Sequence, residues 1–164
     1  MKNSSFISLL LIPFFGLAQE APALTKNLEL KVALGQYFAN INYEQPISKK
    51  AIWDFGTSLN GFYLNEDDNM EANFGLTSNI KYIYNRERRA EKNKSLENNA
   101  GNYIKVGANY NINRNLFIPN FMWGTKTNLD ENFSFFAEVG LATNNDLFIP
   151  FNVGFVYSIP AFKK

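Results

Sequence analysis

Two of the side chains that most often carry out chemistry, those of cysteine and histidine, are absent from this chain. Its 164 residues include no cysteine and no histidine, which excludes disulfides, thiolate catalysis, Ser-His-Asp catalysis and histidine metal sites. Asp67 and Asp68 could imitate a catalytic acid pair, but adjacent residues on a strand point apart, and in a loop such acids are mostly solvated. We therefore expect a protein that is not an enzyme and has no catalytic residues, metal site or cofactor.

Charged residues at strand-like positions are the remaining candidates for a functional site. Four acids and four bases stand at the polar positions of segments in which polar and apolar residues alternate. They could pair with one another, or form a proton relay or an ion path if they line one channel. These residues are Glu29, Lys31, Glu44, Asp54, Lys81, Lys105, Lys126 and Glu138.

Alternation along most of the chain predicts the strands that position these charges. Period-two patterns separated by turn residues predict eight β-strands, an even number, as in single-chain bacterial membrane barrels. The apolar parity flips at Gly35-Gln36, so we divide that stretch into two strands, although one bulged strand would also fit. The predicted strands cover residues 28–34, 37–44, 53–63, 74–84, 104–112, 117–126, 133–141 and 151–159.

The apolar face of nearly every predicted strand is the bulky one, while the opposite face carries glycine, asparagine, serine and charge. A narrow barrel has little room inside for bulky aromatics from every strand, so this pattern favours an apolar face that points outward to lipid. We predict an all-β protein, a transmembrane antiparallel up-and-down β-barrel of eight strands. The eight charges should then pair in a structural network that fills the lumen, because an unpaired buried charge is costly.

The last predicted strand carries a pattern typical of the assembly signal of outer-membrane barrels. The pattern consists of a polar residue, a glycine and two large side chains near the C-terminus: Asn152, Gly154, Tyr157 and Ile159. We expect the barrel-assembly machinery to recognise it.

Together these features resemble the small OmpA/OmpX-type outer-membrane β-barrels of Bacteroidota. The resemblance also rests on the Ala18-Gln19 processing site, the strand-to-turn passage at 43–50, and the segment 82–94 that leads to 101–104. It implies an eight-stranded barrel in the cell outer membrane and brings no catalytic motif with it.

The first residues have the order of a secretory signal peptide: Lys2, an apolar stretch over 6–17, and small residues before Gln19. The expected organisation is a signal peptide (1–18), a short tether (19–27), the barrel (28–160) and a C-terminal tail (161–164). Sixteen Lys and Arg stand against 15 Asp and Glu, and the two become equal once Lys2 is removed. No overall charge would then attract nucleic acid.

We expect a membrane component, an anchor or a subunit of an outer-membrane assembly, with a closed polar lumen. Its expected partners are outer-membrane lipid and lipopolysaccharide, the assembly machinery, and a periplasmic or outer-membrane protein. The alternatives are a narrow channel, a carrier for a small hydrophobic molecule with Phe62 and Phe136 facing inward, a lipid-modifying barrel enzyme, and a soluble periplasmic barrel.

One long polar connection, residues 86–101, is rich in bases near its start. It is either a solvated turn or a docking segment for an acidic periplasmic partner or for lipid phosphates of the inner leaflet. If residues 28–47 form a single strand, the connection faces outward and its target becomes lipopolysaccharide. The candidate docking residues are Arg86, Arg88, Arg89, Lys92 and Lys94.

Overall fold

The structure, a computed structural model, describes residues 21–64, 70–144 and 146–161. Over these residues the chain forms nine β-strands, one short α-helix, α1 (Arg86–Glu91), and one 3₁₀ turn (Glu97–Asn99). No helix in this part of the chain is long and apolar enough to cross a membrane. The strands are β1 (Asn27–Gly35), β2 (Ala39–Pro46), β3 (Ala51–Leu64), β4 (Met70–Ile83), β5 (Gly101–Asn111), β6 (Leu116–Asn128), β7 (Phe133–Asn144), β8 (Asp146–Phe148) and β9 (Phe151–Pro160).

The strands form one antiparallel sheet that closes into a barrel. Strands β1 to β7 pair in chain order, β7 pairs with β9, and β9 returns to β1. The three-residue strand β8 pairs with β7 and extends the last hairpin beyond the closed ring. The predicted barrel of eight antiparallel strands is therefore confirmed.

The break at Gly35 separates β1 from β2, as predicted. Gly35 has a φ of +136°, and a Cβ there would lie 1.9 Å from the carbonyl oxygen of Phe151, so only glycine fits. Because β1 and β2 are separate antiparallel strands, the chain reverses direction between them. The β4–β5 connection therefore lies at the same end of the barrel as the start of β1 and the end of β9. We call this the termini end, and the end with the β1–β2 and β5–β6 turns the hairpin end.

Side chains alternate between a polar lumen and an apolar outer face, as the period-two pattern predicts. On β9, Asn152 and Ser158 are buried, whereas Phe155 and Tyr157 are 47% and 46% exposed. The register shifts once along the β3–β4 pairing, between Leu59 and Phe62. Because the alternation holds around the ring, the polar positions of neighbouring strands meet inside the barrel.

Candidate functional site: the lumen and its two ends

The lumen holds all eight charged side chains that the sequence singles out. Each of them is at most 8% exposed, and each lies within 4 Å of an opposite charge. They come from every strand between β1 and β7, so their ion pairs connect distant parts of the ring across the lumen.

Glu29 is the centre of the largest charged group. Its carboxylate pairs with Lys126 and with Lys31, whose ammonium lies 2.9 Å away. Lys31 also lies 3.6 Å from Asp54, and the other carboxylate oxygen of Asp54 accepts a hydrogen bond from Asn42. Two acids and two bases therefore balance one another among β1, β3 and β6.

Glu44 forms a second group with Lys81. Its Oε2 accepts hydrogen bonds from the side-chain amides of Asn27 at 3.3 Å and Asn99 at 2.8 Å. Asn99 belongs to the β4–β5 connection, not to a strand. The connection thus inserts a polar side chain into the lumen, a contact that the alternation along the strands does not indicate.

Glu138 forms a third group at β5 and β7. Its Oε1 lies 2.7 Å from the Lys105 ammonium and accepts a hydrogen bond of 2.7 Å from the Tyr103 hydroxyl, and its Oε2 accepts one from Asn152. The Lys81 ammonium lies 5.2 Å from the centre of the Tyr103 ring, a distance at which a cation and a ring attract each other. Tyr103 therefore contacts both the second and the third group.

The β4–β5 connection packs into the termini end of the lumen. Asn98 and Asn99 are buried and take φ values of 50° and 57°, in the left-handed region that asparagine adopts more readily than most other residues with a side chain. Asn98 donates to the carbonyl of Glu131 at 2.6 Å. Asn99 exchanges hydrogen bonds with the backbone of Thr25, donating at 2.8 Å and accepting at 2.9 Å. We call residues 95–100 the plug.

The segment before β1 lies in the same mouth of the barrel. Leu24 is 8% exposed and belongs to an apolar cluster at this end. Residues 21–26, predicted as part of a tether, therefore help to close the barrel. The predicted signal peptide, 1–18, and residues 19–20 lie outside the described residues. The partners of Leu24 in the cluster are Ile52, Ile83 and Tyr103.

Two of the five predicted docking bases are engaged within the protein. Arg86 is 1% exposed and donates to the carbonyl of Pro22 at 2.6 Å, and its burial lowers the pKa of its guanidinium. Arg89 donates twice to the carbonyl of Ser95. Arg86 thus cannot dock a partner in this arrangement. The exposed members of the set are Arg88, Lys92 and Lys94.

A small cavity lies in the lumen toward the hairpin end. It has a volume of about 20 Å³ and is lined mainly by amide and hydroxyl side chains. The side-chain oxygens of Asn40, Asn79 and Asn120 are buried in this region without a hydrogen-bond partner among the described residues. Buried amides of this kind are normally satisfied by ordered water, and this volume holds about one water molecule.

Phe136 points into the lumen, as expected for a residue that lines a pocket for a hydrophobic molecule. Its ring, however, already packs against another side chain. It is 1% exposed and stacks against Tyr37 with a centroid separation of 6.4 Å. The other residue proposed for such a pocket, Phe62, lies where the structure does not describe side chains, and Asp67 and Asp68 lie outside the described residues. At Phe136, a ligand would have to displace the Tyr37 ring.

The four residues of the predicted assembly signal divide between the two faces of β9. Asn152 and Gly154 face the lumen, and Tyr157 and Ile159 face outward. A Cβ at Gly154 would lie 2.0 Å from the carbonyl oxygen of Val32 on β1. Gly154 thus also permits close contact between the first and last strands, a role that the sequence pattern alone does not reveal.

Comparisons with known proteins support the fold class. No protein-family model and no curated protein matches the chain. The solution NMR structure of TMB2.3, a de novo designed transmembrane β-barrel, matches with a TM-score of 0.52 and 17% sequence identity, covering 87% of this chain and 99% of that one. The chain therefore has the fold of a closed eight-stranded antiparallel β-barrel, which it shares with that designed transmembrane protein. The resemblance to the Bacteroidota barrels stays a prediction.

Proposed function

We propose that the protein is an integral β-barrel of the cell outer membrane, exported by its N-terminal signal peptide, with a closed lumen and no enzymatic activity. The observation that carries this proposal is the inverted distribution of polarity: ion pairs inside, large apolar side chains outside on every strand of the ring. Such a surface would aggregate in water, but lipid is its natural solvent. One exposed example from each strand, in ring order, is Leu30, Ile41, Trp53, Ile80, Val106, Phe121, Leu141 and Phe155.

The polar atoms of the outward tryptophans support lipid as the surrounding medium. Trp53 donates its indole N–H to the hydroxyl of Ser78 at 3.1 Å, and Trp123 donates to the hydroxyl of Tyr84 at 2.8 Å. In hydrocarbon an unpaired donor costs several kcal/mol, whereas a paired donor near the interface is well tolerated. Both indoles can therefore face a bilayer without an unsatisfied group.

Within the membrane, the proposed role is that of a structural component, an anchor or a subunit of an outer-membrane assembly. The plug and the ion pairs favour this role over a channel or a carrier, because they occupy the lumen from the termini end to its middle. The proposed partners are outer-membrane lipid, lipopolysaccharide, the barrel-assembly machinery and a protein of the periplasm or outer membrane.

Extraction and gel mobility test the membrane proposal. The native protein should remain in the membrane fraction through carbonate and salt washes, and should keep a distinct mobility in SDS until it is heated, since a closed barrel has no free edge. Release by carbonate without detergent would overturn the proposal.

Planar-bilayer recordings test the closed lumen. We expect no steady conductance from the unaltered protein at any voltage that the bilayer tolerates. Stable open-channel currents would contradict a closed lumen and support the channel function instead, while membrane location would still stand.

A further inference from the structure

Three exposed bases are presented from a fixed support at the termini end. Arg88 lies on α1, and Lys92 and Lys94 follow it directly. Two contacts hold this support: Glu87 pairs with Lys50 of the β2–β3 turn at 2.7 Å, and Arg89 is bound to the carbonyl of Ser95. The exposed bases thus occupy a defined place on the barrel rim.

That place is immediately beyond the level of the outward aromatics. Tyr84 directly follows β4, is 39% exposed, and accepts the indole hydrogen bond of Trp123, which is 46% exposed. Aromatic residues with a polar tip favour the zone where hydrocarbon meets headgroups. Because α1 begins two residues after Tyr84, its bases reach the depth at which lipid phosphates lie.

The charge of the segment suits an anionic ligand. Five bases and two acids lie within residues 86–94, and one of the two acids, Glu87, is paired with Lys50. Elsewhere at the termini end, the exposed bases Lys26 and Lys49 stand against three exposed acids, Glu97, Asp130 and Glu131. In the described part of the molecule, the excess of exposed bases at this end therefore lies within residues 86–94.

We propose that Arg88, Lys92 and Lys94 bind the phosphate groups of anionic lipids in the leaflet that surrounds the termini end. The inference rests on the proposed function, because it requires the barrel to span a bilayer. The bases attract anionic headgroups to the lipid positions next to the barrel, and each base near an anionic surface changes the local lipid association about fivefold. The barrel should thus carry a shell enriched in anionic lipid at this end.

The two tryptophans of the chain, Trp53 and Trp123, provide a local probe because both face outward. The full mature chain is reconstituted in vesicles of phosphatidylcholine and phosphatidylglycerol, with bromine on the acyl chains of one lipid or the other. Bromine quenches nearby indole fluorescence, so the two quenching curves give the relative association of each lipid with the barrel surface. We expect phosphatidylglycerol to be preferred at least fivefold at low salt, and this preference to fall in about 0.5 M salt.

Replacing the three bases tests their role. In the variant R88S/K92S/K94S, the preference for phosphatidylglycerol should disappear, so that both lipids associate about equally. The charge-conserving control R88K/K92R/K94R should keep the preference. Equal preference in the parent and in the serine variant overturns the proposal. So does a serine variant that keeps the lipid preference but loses a co-purifying protein, which would identify a protein ligand instead.

The same measurement separates failure of this proposal from failure of membrane insertion. If both brominated lipids quench the tryptophans equally in the parent, the barrel is inserted and only the headgroup proposal fails. If neither lipid quenches them, the barrel is not in the bilayer, and both proposals fail together.

Discussion

The two halves of the lumen satisfy buried polar groups in different ways. Toward the termini end, carboxylates and ammonium groups pair with each other, and the plug adds the amide of Asn99 to Glu44. Toward the hairpin end, amide side chains line a cavity, and the oxygens of Asn40, Asn79 and Asn120 have no partner among the described residues.

The difference shows what each kind of group demands from the chain. A buried charge needs an opposite charge and fixed donors, because its desolvation cost is several kcal/mol. A buried amide needs only hydrogen bonds, which one or two water molecules can provide. At the charged half, the β4–β5 connection supplies one such donor, the amide of Asn99. Substitutions at the charged half should therefore lower the free energy of unfolding more than substitutions at the amide half.

The largest effect is expected from Glu29→Ala. This change leaves Lys126 and Lys31 without their shared carboxylate, and removing one partner of a buried ion pair costs about 3–5 kcal/mol. The measurement is the free energy of unfolding in urea, followed by tryptophan fluorescence in detergent or lipid. Glu29→Gln, which keeps the shape and some hydrogen bonds, should lose less and gives a readable result if the alanine variant does not refold. A loss of less than about 1 kcal/mol from Glu29→Ala, no larger than that of the outward neighbour variant Leu30→Ala, would show that this ion-pair group does not stabilise the barrel.

Asn99→Ala should have the next largest effect, because it removes the plug's contacts with Glu44 and Thr25. Leaving such buried groups without their hydrogen bonds costs about 1–3 kcal/mol. Limited proteolysis should also cleave residues 21–26 faster, since the plug holds that segment. The matched control is Asn93→Ala, at an exposed residue that also has a φ of 50°. It places alanine in the same left-handed backbone, which costs about 1 kcal/mol, and leaves the contacts of Asn99 in place. Equal destabilisation by both variants would mean that the left-handed backbone, not the contacts of Asn99, accounts for the loss.

Smaller changes are expected from Asn79→Leu and Asn120→Leu at the cavity. Replacing an amide and its water with an apolar group of similar shape should change the free energy of unfolding by less than about 1 kcal/mol. Asn42→Leu is the contrasting variant, because Asn42 also lines the cavity but donates to Asp54, and it should cost about 1–3 kcal/mol. If all three leucine variants are equally destabilised, an amide that binds a carboxylate is no more important here than an amide that binds water.

The smallest effect is expected at the rim, from Glu87→Gln. Burial alone would raise the pKa of Glu87, but the hydrogen bond and charge of Lys50 outweigh it and hold the pKa below its ordinary value of 4.5. The pair therefore stabilises the folded state above pH 4.5, and this contribution disappears as the pH falls through the lowered pKa. At neutral pH the variant should lose less than about 1 kcal/mol, as exposed ion pairs do. A stability difference from the parent that does not shrink in acid would exclude this pair as its source.

The sequence predicted the barrel and its inward charges because both follow from a period of two. Once the parity of each strand is known, the face of Glu29 or Lys105 is determined, and the flip at Gly35 separates the first two strands. The plug could not be predicted in the same way. The contact between Thr25 and Asn99 spans 74 residues, and it depends on left-handed backbone at Asn98 and Asn99. Adjacent asparagines in a long connection were the only available signal, and they are equally typical of a solvated turn.

The seam between β1 and β9 also has a consequence for folding kinetics. Gln36 donates its backbone N–H to Asn152 across this seam, over a separation of 116 residues, and closing a loop of that size costs about 4 kcal/mol in chain entropy. Contacts with such long separations form late and slowly, so we expect joining of the first and last strands to limit the folding rate. The seam continues past the strands, where Ala161 donates to the carbonyl of Lys26, one residue from the plug contact at Thr25. Protection of residues 21–26 from protease should therefore develop together with closure of the ring. The rate at which this protection appears should report the rate of ring closure.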